Sequence, residues 1–182
     1  MNRSERLDRH PGFSAGALAS LLAAGLVVSL TVSLPGCVSV EIAGKKADRS
    51  TGVQVVEPGA PFVRIASPQA DGAWLNKANG NAISYLSTCH DPTDPSLDSA
   101  FTELIGSLES PKTIRTATET FNGREALEAE VAGLVDGVRT HVEVVIFKRN
   151  QCLYSLSYVG VEKSFAGDRA RFQRFLDGFR AP

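Results

Sequence analysis

The sequence predicts an α+β domain: an antiparallel sheet of about six strands with two helices packed on it, in the order β-β-α-β-β-β-β-α. Three observations predict it. Asn122-Gly123 and Asp136-Gly137 are hairpin signals, each set between stretches of alternating polarity. Leu97, Phe101, Leu104, Ile105 and Leu108 fall on one helical face. Phe165, Phe172, Phe175, Leu176 and Phe179 repeat that spacing near the C-terminus.

The elements follow in order. Phe62 to Ala66 reads as a first short strand, and Asp71-Gly72 as a turn leading to Trp74. Ala82 to Thr88 is a second strand, ending at Cys89. His90 to Pro95, with two prolines and two aspartates, is a loop. A helix then starts with Ser96 as its cap, or Asp94 with Pro95 at the first helical position, and Pro111 marks its end. Thr113–Phe121, Arg124–Val135, Val138–Lys148 and Cys152–Val159 form a meander. Tight turns between consecutive strands make them antiparallel. In the third of these, Val142, Val144 and Ile146 take one face while Val145 and Phe147 take the other, so both sides are expected to be covered. A helix over about Ser164 to Arg180 closes the chain and lays its aromatic stripe on the sheet, where burial is most favourable.

The N-terminus has a different character. Arg3, Arg6 and Arg9 precede a stretch, Pro11 to Gly36, without any charge. That is the secretory pattern. It ends in Leu34-Pro35-Gly36-Cys37, which resembles the lipobox of bacterial lipoproteins: Leu three residues before the cysteine, and a small residue directly before it. Pro35 departs from the usual residue between them. The resemblance implies that residues 1–36 are a signal peptide and that Cys37 carries lipid, including an acyl chain such as palmitate, which anchors the protein in a membrane. Val38 follows instead of Asp, which by the same resemblance permits sorting to the outer membrane of a diderm host. The alternative is an uncleaved membrane helix, for which Phe13 to Leu34 is long enough. Either way the remainder is expected in the cell envelope, outside the cytoplasm.

Beyond residue 36 the chain keeps 16 Lys+Arg against 18 Asp+Glu, so no basic footprint for nucleic acid is present. Residues 37–60, with Gly44, Gly52, Gly59, Lys45, Lys46, Asp48, Arg49, Ser50 and Pro58 and little apolar period, read as a flexible tether, and 61–182 as a single domain. With Cys37 assigned to lipid, Cys89 and Cys152 are left to form one disulfide in an oxidising envelope. The other reading is a reactive thiol at Cys89 with His90 as its base. Neighbours on a strand point to opposite faces, which disfavours that pairing.

His90, Asp91, Asp94 and Asp98 are the densest cluster of candidate metal ligands, fit for a hard cation such as calcium. Against that stands a plainer role: turn formation, with negative charge at a helix N-terminus. Glu125, Glu128, Glu130 and His141 read as solvated or cross-strand side chains. No Walker A, GxSxG, HExxH or CxxC pattern occurs, and no cofactor is implied.

The element order and the two hairpins over residues 61–180 resemble the PsbP-like α/β/α sandwich, found also in Mog-type proteins and several bacterial lipoproteins. That resemblance implies assembly or binding rather than catalysis. The expectation is therefore a non-enzymatic envelope lipoprotein that engages the membrane through lipid on Cys37 and an envelope protein partner through its domain. A ligand carrier with an apolar pocket lined by Phe172 and Phe175 is one alternative. A hydrolase using His90, Asp91 and Asp94 is the other.

Overall fold

Seven strands, one more than expected, form a single antiparallel sheet in a computed structural model that describes residues 48–182. The strands are β1 (Phe62–Ile65), β2 (Gly72–Asn76), β3 (Ala82–Cys89), β4 (Glu109–Phe121), β5 (Arg124–Val135), β6 (Val138–Arg149) and β7 (Cys152–Val161). The helices are α1 (Leu97–Ile105) and α2 (Glu162–Gly178). The spatial order is β1-β2-β3-β7-β6-β5-β4. Residues 1–47, with the expected signal segment and Cys37, lie outside the described residues.

The additional strand is β2. Asp71-Gly72 does not turn the chain; Gly72 pairs with Tyr85 and opens the strand. A Cβ at Gly72 would lie 2.5 Å from the Tyr85 ring, so a side chain there has no room. The reversal comes later, at Asn79-Gly80, where Gly80 takes a φ of 79°.

The sheet separates two cores. On the α2 face, Trp74, Phe147, Tyr154 and Tyr158 meet Phe165, Phe172, Phe175 and Phe179. The Tyr158 ring stacks on Phe165 and Phe172, and Phe179 meets Tyr154 and Phe147 edge-on. Phe172 and Phe175 are fully buried in this stack, so the position of the apolar pocket expected beside them is filled by protein. On the α1 face, Leu127, Val144 and Ile146 pack under Leu97, Ala100 and Phe101. Strand β6 is thus buried on both sides from Val142 to Phe147.

Helix α1 starts as expected, with the Ser99 amide donating to Ser96 Oγ at 3.1 Å. It stops at Ile105, short of Pro111. Pro111 instead sits in edge strand β4, where the register with β5 slips between Glu109 and Lys112. An edge with a slipped register tolerates a residue that cannot donate a hydrogen bond.

Residues 48–60 also depart from expectation. Rather than a free tether, they form a strap along the domain. Asp48 bridges Cys89, and Gln54 exchanges main-chain hydrogen bonds with Arg180. Ser50 Oγ lies 2.8 Å from the Tyr154 hydroxyl, and Val53 and Val55 join the α2-side core. Composition pointed to a spacer because the apolar residues here are few, yet each contact needs only one. A Cβ on Gly178 would clash with the Val56 side chain. Gly178→Ala is therefore expected to cost about 1 kcal/mol by overpacking. Val56→Gly in the same chain should recover most of that loss in urea titrations, and no recovery would argue against the strap.

The end of α2 nearest its start is held by a buried polar knot. Asp168 Oδ2 accepts from Asn76 Nδ2 (2.9 Å), Asn79 Nδ2 (2.8 Å) and Asn81 Nδ2 (2.9 Å). Asn81 Nδ2 also lies 3.0 Å from both the Tyr158 hydroxyl and the Ser164 carbonyl, while Ser164 Oγ donates to Asn81 Oδ1 at 2.8 Å. The β2–β3 turn thereby clamps α2 to the sheet.

Candidate functional site

Antiparallel pairing of β3 with β7 sets Cys89 directly opposite Cys152, and the two are joined in a disulfide. The main-chain N–H of Cys89 turns away from β7 to Asp48, so the cysteines form a non-hydrogen-bonded pair, in which side chains approach closely. This excludes the free-thiol geometry among the described residues. The bridge draws the loop after β3 and the turn before β7 to the same end of the sheet.

Between them opens a cleft of about 600 Å³, lined by Thr88, His90, Asp94, Lys148, Gln151 and neighbouring residues, with Cys152 in its wall. His90 and Asp91, Asp94 therefore do border a concave surface, but they do not converge on one point. Asp91 accepts from the Thr93 amide (2.9 Å) and hydroxyl (2.8 Å). Those bonds, the amide's foremost, hold its carboxyl below the ordinary range. Asp94 Oδ1 meets Lys148 Nζ at 2.6 Å. His90 Nδ1 lies 3.5 Å from Asp48 Oδ2. Asp98 stands in the first turn of α1. Among the described residues no group of three His, Cys, Asp or Glu side chains is placed to hold a metal ion.

The basic side of the cleft did not emerge from the sequence. Arg149 Nη1 donates to the Asn122 carbonyl at 2.7 Å and Nε to the main-chain oxygen of Pro182 at 2.8 Å. Asn150 Nδ2 donates to that same oxygen at 2.8 Å. Lys148 and Arg149 lead into Cys152 just as Cys89 leads into His90. Once the two cysteines are paired, these segments must adjoin, and that was the available signal. His90, Asp94, Asn150 and Gln151 all have positive φ, between 38° and 61°. For Gln151 this is an unusual backbone, and the bond from the His90 amide to the Gln151 carbonyl at 2.9 Å, next to the Cys89–Cys152 bridge, holds both residues in place.

A second charged group lies on the α2 face. Glu130 and Glu143 are cross-strand partners, a like-charge pairing that is unfavourable alone. Arg169 bridges them, with Nη2 3.2 Å from Glu130 and Nε 2.9 Å from Glu143. Its hydrogen bond to Glu143 raises its pKa further. Glu130 is therefore not simply solvated. Neither is His141, which lies between Glu130 (3.5 Å) and Glu162 (3.9 Å), its ring against Phe165. On the α1 face a groove of about 300 Å³ is bordered by Ser84, Ser155 and Ser157 together with Leu86.

No family model and no curated protein matches this chain. Solved structures do resemble it. The solution structure of cyanobacterial PsbP (CyanoP) from Synechocystis sp. PCC 6803 aligns with 76% of this chain and 96% of its own at 13% identity, with a TM-score of 0.50. LpqN of Mycobacterium tuberculosis, described as involved in cell envelope biogenesis, aligns with 77% of this chain and 88% of its own at 9% identity, with a TM-score of 0.55. The fold is α+β and PsbP-like. Among the described residues, no helix is long and apolar enough to cross a membrane.

Proposed function

We propose that this protein is an envelope lipoprotein, anchored through Cys37, whose PsbP-like domain is a non-catalytic binding or assembly module. Its partner, an envelope protein, engages the cleft beside the Cys89–Cys152 bridge. The observation that carries this reading is the state of the cleft's charged groups. Asp91, Asp94, Lys148 and Arg149 are each held by hydrogen bonds within the protein. They form a fixed polar surface suited to recognition of a partner's complementary polar groups. The Leu34-to-Cys37 motif supports the anchor. So does the shared fold with LpqN, for which envelope biogenesis is described. By the same reading, Val38 favours the outer membrane in a diderm host.

The test uses cells producing the full chain. Labelled fatty acid should enter the protein and be lost with Cys37→Ser; persistent labelling would rule out the anchor. A photo-crosslinking residue at Arg124, on the cleft, should give a discrete protein adduct in the envelope. The same residue at exposed Lys163, where α2 begins, should not. Equal adducts at both positions, or none at Arg124, would remove the cleft as the binding surface.

A further inference from the structure

The two edges of the sheet are unlike. Strand β1 is short, four residues, a common way to make an edge unattractive to other strands. Strand β4, at the opposite edge, has thirteen residues and is exposed along almost its whole length. Its first half carries two protective devices, Pro111 and the register slips between Glu109/Lys112 and Thr113/Arg115. From Arg115 to Phe121 neither occurs, and the two charges there, Arg115 and Glu119, are of opposite sign. That stretch runs in unbroken register with β5 and reads Arg-Thr-Ala-Thr-Glu-Thr-Phe.

The hairpin decides which of its main-chain groups are free. Asn122 and Gly123 have φ of 52° and 71°, the signature of a two-residue type I′ turn. Phe121 and Arg124 therefore form the closing hydrogen-bonded pair. Alternation along the strand turns the N–H and C=O of Glu119, Ala117 and Arg115 inward to β5. Those of Thr120, Thr118 and Thr116 point outward, with no strand beyond them among the described residues.

We propose that this edge pairs with the same edge of a second copy, about a two-fold axis through Ala117. In that register Thr116 of each copy faces Thr118 of the other, and both have outward main-chain groups, so each pair exchanges two hydrogen bonds. Arg115 faces Glu119 of the other copy, twice, at the non-hydrogen-bonded positions where side chains approach closest. Ala117, small, meets its own copy at the axis. No neighbouring axis does this. An axis at Arg115 or Glu119 sets like charges face to face. An axis at Thr116 or Thr118 leaves Arg115 and Glu119 without each other. Axes between residues pair outward groups with inward ones and make no ladder. The segment is thus self-complementary in charge and in hydrogen bonding, as an interface between identical copies requires. Arg115 has reach for it: it is half exposed, and its contacts to Glu128 (3.8 Å) and Glu143 (3.6 Å) are long. The main helix packing, α1 on β5 and β6 and α2 on β6 and β7, is over inner strands.

The experiment uses the full chain in detergent with Cys37→Ser, so that an introduced cysteine is the free thiol. Ala117→Cys should give a disulfide-linked dimer on mild oxidation, and Val138→Cys, exposed at the start of inner strand β6, should not. Without added cysteine, sedimentation should show a concentration-dependent dimer. Glu119→Arg should weaken it about tenfold or more, because two attractions become two repulsions. Adding Arg115→Glu to that variant restores opposite charges and should restore the dimer, a recovery that a misfolded chain would not show. A chain that stays monomeric, no cross-link at Ala117→Cys, equal cross-linking at Val138→Cys, or a dimer unaffected by Glu119→Arg would each overturn the proposal.

Discussion

Asp168→Ala should destabilise the domain by about 4 kcal/mol, measured by urea unfolding at neutral pH. The carboxylate is almost completely buried and is the shared acceptor of three side-chain amides. Truncation leaves Asn76 and Asn79 without that partner inside the protein. Asn81 keeps its bonds to Tyr158 and Ser164, so the loss is less than three separate penalties would suggest. A cost below about 1 kcal/mol would show that the knot is dispensable. Acid should reveal the same group. Burial alone raises the Asp168 pKa, but the amides of Asn79, Asn76 and Asn81 outweigh it, and the carboxyl titrates below the usual range. A depressed native pKa stabilises fully above the unfolded carboxyl's pKa and is lost as pH falls through the native value. Unfolding midpoints should therefore drop more steeply on the acid side in the parent than in Asp168→Asn. Parallel acid limbs would count against this assignment.

Cys89→Ala/Cys152→Ala is expected to cost a similar amount. The cysteines are 63 residues apart, and closing a loop of that size restricts the unfolded chain by about 4 kcal/mol in the chain-entropy picture. For a domain of this size that is a fall of roughly 10–15 °C in Tm. The location makes the effect specific. The bridge staples the seam where the N-terminal strands β1–β3 meet the meander β4–β7. Hydrogen exchange should accelerate most in β3 and β7 and least in β5 and β6, which have neighbours on both sides and no part in the seam's staple. Reductant alone should reproduce the shift. A melting point unchanged by reductant, or two free thiols in the envelope form by mass spectrometry, would contradict it.

What the residues revealed in advance was local. Asn122-Gly123 and Asp136-Gly137 turn the chain where expected, because such turns depend on adjacent backbone angles. The double-sided burial of β6 follows from its apolar residues on both parities. The features that escaped were set by partners distant in sequence. Strand β2 is short and buried on both faces, so it shows no alternation, and its Gly72 is needed for the Tyr85 ring rather than for a turn. Asn76, Asn79 and Asn81 look like turn residues until Asp168, about 90 positions later, collects their amides. Glu130 looks solvated until Glu143 and Arg169 are placed beside it. The cleft was half legible: His90, Asp91 and Asp94 border it, while Lys148 and Arg149 enter only through the β3–β7 pairing.

The strap over residues 48–60 also sets a leash. Asp48, the first described residue, lies beside Cys89 and hence at the cleft end. With lipid on Cys37, about eleven residues separate bilayer and domain, a reach of at most about 40 Å even fully stretched. That is half of what a free tether to residue 60 would allow. The cleft would then work within a short radius of the membrane surface, biased towards partners in or on that same membrane.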